Sequence, residues 1–359
     1  MKIIKASQLA ASAIIISLFL SACSTVSYQE IYPTLADGKY DSEFPYKGAS
    51  DELREISSTV HRINSSVFYK TYTFEESTNL TLDNLKNTNL RSVAISEGYA
   101  DQSNSGTGTI IYFNEGKVGI LTCAHVVEFP DTIISYFPDA EGNFTKNIQV
   151  VFIKERQSIY AAGFPEGSQF ELLVSDKKSD IALIGKDYYV LSDLKFPVFN
   201  YPMGKAKELD WGSFVYIFGY PINYQMVTKA IVSNPGRDES GSFLVDAVVN
   251  NGMSGGLVLA IKDGVPNFEM VGMIQWVPEE EENILVPKPL KNNERYNPIV
   301  PYKGEEYVKR FSSIRYGIAR VISSEKISSF LKENSSTLNK KKILSGSFYE
   351  LISLCFWLN

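Results

Sequence analysis

Short apolar runs separated by turn residues dominate the sequence from about residue 56 onward, and this pattern limits the possible fold more than any other feature. Thr107–Phe113 and Val118–Thr122, for example, flank Asn114-Glu115-Gly116-Lys117, whose residue types favour a tight hairpin turn. Further candidate strands are Glu171–Val174, Ile181–Gly185, Phe214–Gly219, Met226–Val232, Phe243–Val249, Leu257–Ile261 and Phe268–Val277. Many short strands with this spacing predict an all-β domain, which we place at residues 56–335.

Four segments depart from the strand pattern. One helix is predicted over Ser324–Glu333, because apolar residues recur there at helical spacing. Residues 23–55 lack sustained periodicity and are predicted to be a tether, and the Pro-rich, charged residues 278–312 are predicted to be a long surface loop. The tail, residues 336–359, is basic and then apolar, which fits either contact with a membrane surface or packing on the domain.

Charge and cysteine content exclude several classes of protein. The 35 basic and 41 acidic residues give a formal net charge of −6, so we expect no nucleic-acid partner, because phosphate contacts need clustered Lys and Arg. Three cysteines cannot build a disulfide framework or a four-cysteine zinc site. We expect no metal ion and no organic cofactor. The sequence does not indicate an oligomeric state.

The first 23 residues have the features of an export signal. Lys2 and Lys5 precede the apolar run Leu9–Leu20, which is too short to span a bilayer comfortably. The following Leu20-Ser21-Ala22-Cys23 resembles the bacterial lipobox. The resemblance implies a signal peptide over residues 1–22 and a mature chain that is held on a membrane by acyl groups on Cys23. Ser24 resembles the pattern of lipoproteins sent to the outer membrane, so we expect the domain to face the periplasm there.

Three short motifs carry residues suited to acyl transfer. A serine nucleophile needs a histidine to take its proton, a carboxylate to orient that histidine, and two N–H groups to stabilise the oxyanion. His125 lies in Thr122-Cys123-Ala124-His125-Val126, and Asp180 opens the apolar run that ends at Gly185. Ser254 lies among glycines in Gly252-Met253-Ser254-Gly255-Gly256, a composition that permits unusual backbone angles.

The motifs TCAHV, SDIALI and GMSGG, in that order, resemble those of the chymotrypsin-like (trypsin-fold) serine peptidases. The flanking segments FGYP, TKAIVSNPGR, VDA and YGIA are similar to those of the bacterial HtrA-type branch. After residue 335 only a short tail remains, so we expect a peptidase domain of this branch without a PDZ domain. The resemblance covers about residues 100–335.

The resemblance implies an architecture, an activity and residue roles. It implies two six-stranded Greek-key barrels with a C-terminal helix, and a serine endopeptidase that cleaves polypeptides through an acyl-enzyme on Ser254. His125 would be the general base, Asp180 would orient it, and the backbone N–H groups of Gly252 and Ser254 would form the oxyanion hole. A second possibility is a binding or chaperone-like protein of the same fold that is inactive or must be triggered. A dedicated esterase is disfavoured because GMSGG, although it has the spacing G-x-S-x-G, precedes the predicted strand Leu257–Ile261 and not the helix of a nucleophile elbow.

The expected substrate-binding residues also come from the resemblance. Val248 falls near the expected base of the specificity pocket, and Gln275, Trp276 and Val277 end the strand that would pair with substrate. The branched Val277 would narrow the specificity pocket and Val248 offers no charge, so we expect small or medium aliphatic side chains before the cleaved bond, and not Lys or Arg. Met253 stands where the family usually has Asp or Asn, so activation by a newly formed N-terminal amine is not expected.

Three residues offer competing interpretations. Asp176 could replace Asp180 as the orienting carboxylate, but its context favours a turn or capping role. Cys123 is close to His125 in sequence, and strand alternation predicts that its side chain is buried and points away from the cleft. His61 has no nucleophile motif nearby and is predicted to be structural or exposed.

Overall fold

The computed structural model describes residues 33–343 except 166, 189–194, 237–240, 277–278, 289, 291–295, 298 and 315–316. Fifteen strands form the largest part of the described structure. They are β1 Val60–Thr73, β2 Ser96–Asn114, β3 Lys117–Thr122, β4 Thr132–Pro138, β5 Phe144–Ala161, β6 Glu171–Asp176, β7 Ile181–Asp187, β8 Phe214–Gly219, β9 Met226–Asn234, β10 Phe243–Val245, β11 Leu257–Ile261, β12 Phe268–Trp276, β13 Glu279–Pro287, β14 Glu306–Ile314 and β15 Ala319–Ser323. The predicted all-β class is confirmed.

The helices are few and mostly short. They are α1 Ser50–Ser58, α2 Leu82–Leu85, α3 Leu90–Val93, α4 Ala124–Val127, α5 Ser324–Glu333 and α6 Ser335–Lys340. Helix α5 has the predicted bounds, and the Ser323 side chain caps it by accepting from the Lys326 backbone N–H at 3.4 Å. None of the helices that the structure describes is long and apolar enough to cross a membrane.

The second half of the domain forms a closed barrel of six strands in the order β10-β15-β12-β11-β8-β9. Pairing of β10 with β15, and of β11 with β8, joins strands that are distant in sequence, as in a Greek key. Strand β11 is buried along its whole length because one face points into the barrel and the other packs toward the first half of the domain. This agrees with the expected second barrel.

The first half of the domain is a seven-stranded sheet in the order β4-β5-β1-β2-β3-β7-β6. Its last six strands follow the connectivity of the second barrel. Their two edges meet at an isolated bridge between Tyr160 and Gln169, where the Phe170 N–H donates to the Ile159 carbonyl at 2.8 Å. The resemblance implied a six-stranded barrel here, and the structure instead adds β4 as a seventh strand on the far half of β5.

Strands β1, β2 and β5 continue well beyond the barrel. Their outer ends are covered by a small separate core around Phe74, Leu80, Ile148 and Val151, which is closed by the short helices α2 and α3. The outer half of β2 is polar, so apolar periodicity did not reveal it. Its strand conformation results from pairing with β1 from Ser96 to Thr109.

Residues 33–46 form a segment that we name the N-terminal strap, and it differs from the predicted tether. The Asp41 N–H donates to the Ile261 carbonyl at 2.9 Å, and its carbonyl accepts from the Phe214 N–H at 2.8 Å. The ring of Phe44 packs against Phe214 with centroids 5.2 Å apart. Helix α1 follows and buries Ile56 in the main core, so the predicted boundary at residue 55 falls inside a helix.

The C-terminal segment also packs on the domain as far as it is described. Leu338 of α6 and Ile343 lie in the core cluster of the first half, and the Tyr112 hydroxyl donates to the Lys342 carbonyl at 3.2 Å. Of the two possibilities for the tail, packing therefore applies up to residue 343. Residues 344–359 lie outside the described part.

The predicted long loop at residues 278–312 contains an antiparallel hairpin instead. Strands β13 and β14 pair from Glu279 with Ile314 to Pro287 with Glu306, and they form a sheet of their own. The charged and Pro-rich composition obscured a pairing that depends on residues about 20 to 35 positions apart in the chain.

Candidate active site

His125 lies in helix α4, directly after strand β3, and Asp180 lies just before strand β7. The Asp180 carboxylate accepts from His125 Nδ1 at 2.8 Å and from the His125 backbone N–H at 2.9 Å. The Asp180 side chain is 14% exposed and that of His125 is 46% exposed. Because the carboxylate accepts from Nδ1–H, Nε2 of the neutral ring is left as a proton acceptor on the exposed side.

The backbone of Asp180 helps to hold this pair. Its φ of 58° lies in the left-handed region, which Asp tolerates better than most residues. Its carbonyl accepts from the Ala124 N–H at 3.2 Å, one residue before His125. The carboxylate and the imidazole are thus fixed by both backbone and side-chain contacts.

Ser254 is half-buried in a loop whose backbone requires glycine at two positions. Gly252 and Gly255 have φ values of 98° and 87°. A Cβ on Gly252 would lie 2.3 Å from the Tyr220 carbonyl oxygen, and one on Gly255 would lie 2.0 Å from the Thr107 carbonyl oxygen. Both glycines are therefore required by backbone angle and by space.

The predicted oxyanion hole consists of two N–H groups with no protein acceptor in the described residues. The N–H of Met253, between them, donates to the Asn250 carbonyl at 3.1 Å, whereas those of Gly252 and Ser254 make no hydrogen bond within the described chain. The Met253 side chain is buried and packs against Gly219. The Gly252 and Ser254 N–H groups are therefore available to a ligand oxygen.

His125, Gly252 and Ser254 line one cleft of about 630 Å³. The other lining residues are Ser103, Asn104, Ser105, Ile222, Asn223, Asn250 and Asn251. Apart from His125, this lining has no acidic or basic side chain within the described part of the chain. Within that same part, no hydrogen bond joins Ser254 Oγ to His125, although catalytic hydrogen bonds are often long before substrate binds.

The Cys123 side chain is buried beside the His125–Asp180 pair and does not line the cleft, which agrees with the predicted burial away from the cleft. The thiol is fully buried and donates to the Ile274 carbonyl at 3.3 Å. Ligand atoms of Cys123, His125 and Asp180 all lie within 4.8 Å of one another. Burial, followed by the nearby Asp180 carboxylate, raises the pKa of the Cys123 thiol well above its usual value, so the sulfur is a neutral packing group and a poor metal ligand.

Asp176 and His61, the other carboxylate and histidine considered from the sequence, have roles away from the candidate site. Asp176 accepts from the Ser179 hydroxyl and from the Lys178 N–H at 2.9 Å, and the first contact lowers the pKa of its carboxyl group. This is the turn role expected for it. His61 contacts the Ala162 carbonyl through Nδ1 at 2.8 Å and packs on Phe164, and burial lowers its pKa.

The predicted substrate-binding residues are only partly brought to the cleft. Val248 is 77% exposed between the buried Ala247 and Val249, and it is not among the residues that line the cleft, in contrast to the expected pocket base. Gln275 is half-buried near the end of β12, with its Oε1 atom buried and without a hydrogen-bond partner. Trp276 ends that strand.

Other predicted positions lie outside what the structure describes. These are Val277, next to the cleft strand, and Cys23 with the rest of the predicted signal and lipid attachment segment. Their assignments remain predictions.

Two residues at the site were not found from the sequence. Asn104 donates through its side chain to the His125 carbonyl at 2.8 Å. Thr107 contacts the serine loop through its hydroxyl and its backbone. The segment Gly106-Thr107-Gly108, with two glycines in a buried strand, was the available signal, because such glycines often mark a close backbone approach.

Comparison with known proteins agrees with this arrangement. Residues 106–273 match a family described as the trypsin-like peptidase domain. Among solved structures, the serine endoprotease from Yersinia pestis is similar with a TM-score of 0.38 and 18% identity, over 81% of this chain and 67% of that chain, a likeness too low to inform function. No curated protein matches the chain significantly. Residues 106–273 are thus similar to the trypsin-like peptidase domain, and the described chain has a mostly β, trypsin-like fold.

Proposed function

We propose that this protein is a lipid-anchored serine endopeptidase of the bacterial cell envelope. The observation that carries the catalytic part is the His125–Asp180 pair, held by two hydrogen bonds at a cleft that also contains Ser254 and two backbone N–H groups without an acceptor among the described residues. Acyl transfer at a serine requires these parts, and the trypsin-like fold supports a peptidase.

In the proposed reaction, Ser254 Oγ attacks the carbonyl carbon of the substrate while His125 Nε2 takes the hydroxyl proton. The N–H groups of Gly252 and Ser254 stabilise the oxyanion, and Asp180 stabilises the imidazolium that forms. His125 then gives its proton to the leaving amine as the peptide bond breaks. A water molecule, deprotonated by His125, hydrolyses the acyl-enzyme and restores Ser254.

The cleft also supports a proposal about substrate class. Its described lining is made of Ser, Asn, Ile and Gly side chains with His125, and it offers no carboxylate to bind Lys or Arg. We propose a polypeptide substrate with an uncharged residue before the cleaved bond. Turnover of peptide libraries that differ at this position tests it, and preference for Lys or Arg would contradict it.

Labelling with a fluorophosphonate probe tests the catalytic proposal. The purified protein should be labelled, and Ser254→Ala and His125→Ala should lose the label. Ser103→Ala is the matched control because Ser103 is a serine of the same cleft without a proposed role. Equal labelling of wild type and Ser254→Ala would contradict the assignment of the nucleophile.

A second candidate is a binding or chaperone-like protein of the same fold that is inactive or must be triggered. The observation that favours it is the lack of a hydrogen bond between Ser254 and His125 in the described structure, together with Met253 beside the nucleophile. A folded wild-type protein that is not labelled, but that binds unfolded polypeptides, would support this candidate against the peptidase.

The envelope location is proposed from the sequence of the first 24 residues. Metabolic labelling with palmitate should mark the wild-type protein and not Cys23→Ser. Density fractionation of the membranes tests the outer membrane. Incorporation of palmitate by the Cys23→Ser variant, or sedimentation with inner-membrane markers, would contradict these two proposals respectively.

A further inference from the structure

Thr107 is a fully buried residue of β2 that contacts two carbonyl groups of the serine loop, one on each side of Met253. Its hydroxyl donates to the Gly252 carbonyl at 2.7 Å, and its backbone N–H donates to the Ser254 carbonyl at 2.7 Å. The same hydroxyl accepts from the Tyr220 N–H at 3.0 Å. One side chain therefore joins the first sheet, the serine loop and the turn that follows β8.

The backbone carbonyl of Thr107 also takes part in a hydrogen bond. The Thr122 hydroxyl donates to the Thr107 carbonyl at 2.7 Å, and Thr122 ends the strand that leads to His125. The strand that positions the histidine and the loop that carries the serine thus share one buried threonine. A shift of Thr107 would change the distance between the two groups.

The serine loop has no charged group of its own to hold it. The residue before Ser254 is Met253, whose buried thioether packs against Gly219 and offers only dispersion contacts and a weak acceptor. The Gly252 carbonyl belongs to the peptide that links Gly252 to Met253. A hydrogen bond to this carbonyl holds the plane of that peptide. It thereby restricts rotation of the backbone at Gly252, which sets the direction of the Gly252 N–H group.

We infer that Thr107 is a positioning residue, which holds the Gly252 and Ser254 N–H groups in the geometry that stabilises the oxyanion. The inference rests on the proposed peptidase function for its catalytic consequence. Its structural part, that the Thr107 hydroxyl orders residues 250–256, stands on the contacts above. Loss of the hydroxyl removes the partner of the buried Gly252 carbonyl and of the part-buried Tyr220 N–H, and both groups would then move toward water or other partners.

Thr107→Val and Thr107→Ser separate the hydroxyl from the shape of the side chain. We expect Thr107→Val to lower kcat at least about tenfold with KM nearly unchanged, since oxyanion contacts act mainly in the transition state. Thr107→Ser keeps the hydroxyl and should stay within about threefold of wild type. Thr109→Val is the matched control, because Thr109 is a buried threonine two residues along the same strand that makes no hydrogen bond to residues 250–256 in the described structure.

Amide hydrogen exchange of residues 250–256 gives a readout that does not need activity. Thr107→Val should exchange faster there than wild type, Thr107→Ser and Thr109→Val should not, and exchange in the strands of the second barrel should stay unchanged. Where Thr107→Val does not fold, Thr107→Ala replaces it, because the smaller side chain leaves room for a water molecule.

The outcomes distinguish this inference from the proposed function. An unlabelled but folded wild type would refute the constitutive peptidase, while faster loop exchange in Thr107→Val would still support the structural part. A Thr107→Val or Thr107→Ala protein with wild-type kcat and wild-type loop exchange would overturn the inference even in an active enzyme.

Discussion

Replacement of Asp41 by Asn should stabilise this protein at neutral and alkaline pH but not at acidic pH. Asp41 is buried in the N-terminal strap, and its carboxylate accepts from the Gly264 N–H at 3.1 and 3.3 Å. Burial raises the pKa of this carboxyl group from 3.8 to about 6, and the nearby Glu43 and Asp263 carboxylates act in the same direction. The folded protein therefore favours the protonated form of Asp41.

The sign of the pH effect follows from this shift. Since the folded-state pKa lies above the unfolded value of 3.8, stability is greatest below that pH and is lost as pH rises through about 6. A rise of this size corresponds to at most about 3 kcal/mol. Asn keeps an acceptor for Gly264 and carries no charge, so Asp41→Asn should gain about 1–3 kcal/mol over wild type at high pH.

Denaturant unfolding followed by circular dichroism, at about pH 4 and about pH 8, measures this effect. The free-energy difference between Asp41→Asn and wild type should be near zero at the lower pH and positive at the higher. Asp101→Asn, which changes an exposed aspartate of β2, is the control and should show no such dependence. The reasoning is refuted if wild type is the more stable protein at about pH 8, or if the difference is the same at both pH values.

Three further predictions test the site and its support. Asp180→Asn should lower kcat by about 10³- to 10⁴-fold with little change in KM, because an amide stabilises the wrong tautomer of His125. Steady-state kinetics measure this effect, and an effect on KM alone would contradict it. Gly255→Ala should abolish fluorophosphonate labelling, because its Cβ would lie 2.0 Å from the Thr107 carbonyl oxygen, and labelling at the wild-type rate would show that the loop can relax. Leu338→Ala should lower the free energy of unfolding by about 2–4 kcal/mol, because Leu338 is the fully buried residue of α6. A loss below about 1 kcal/mol would mean that this helix does not unfold cooperatively with the domain.

Several features could be predicted from the sequence because their causes are local. The hairpin turn predicted over Asn114–Lys117 joins β2 to β3, with Glu115 and Gly116 at positive φ. Helix α5 has the predicted bounds because its apolar spacing and its Ser323 cap lie within the helix and its immediate flank. The motifs around His125, Asp180 and Ser254 likewise identified residues whose chemistry is set by side-chain type and near neighbours.

The tertiary structure alone decided the features that depend on distant partners. The polar half of β2 is a strand because β1 supplies its hydrogen bonds. The N-terminal strap is held because the Phe214 N–H of β8 donates to the Asp41 carbonyl and the Ile261 carbonyl of β11 accepts from the Asp41 N–H. Cys123 lies under Asp180, and Thr107 contacts a carbonyl 145 residues later in the chain. Local sequence does not reveal such contacts. Each of them needs two segments that are far apart in the chain, and these segments meet only when the whole domain folds.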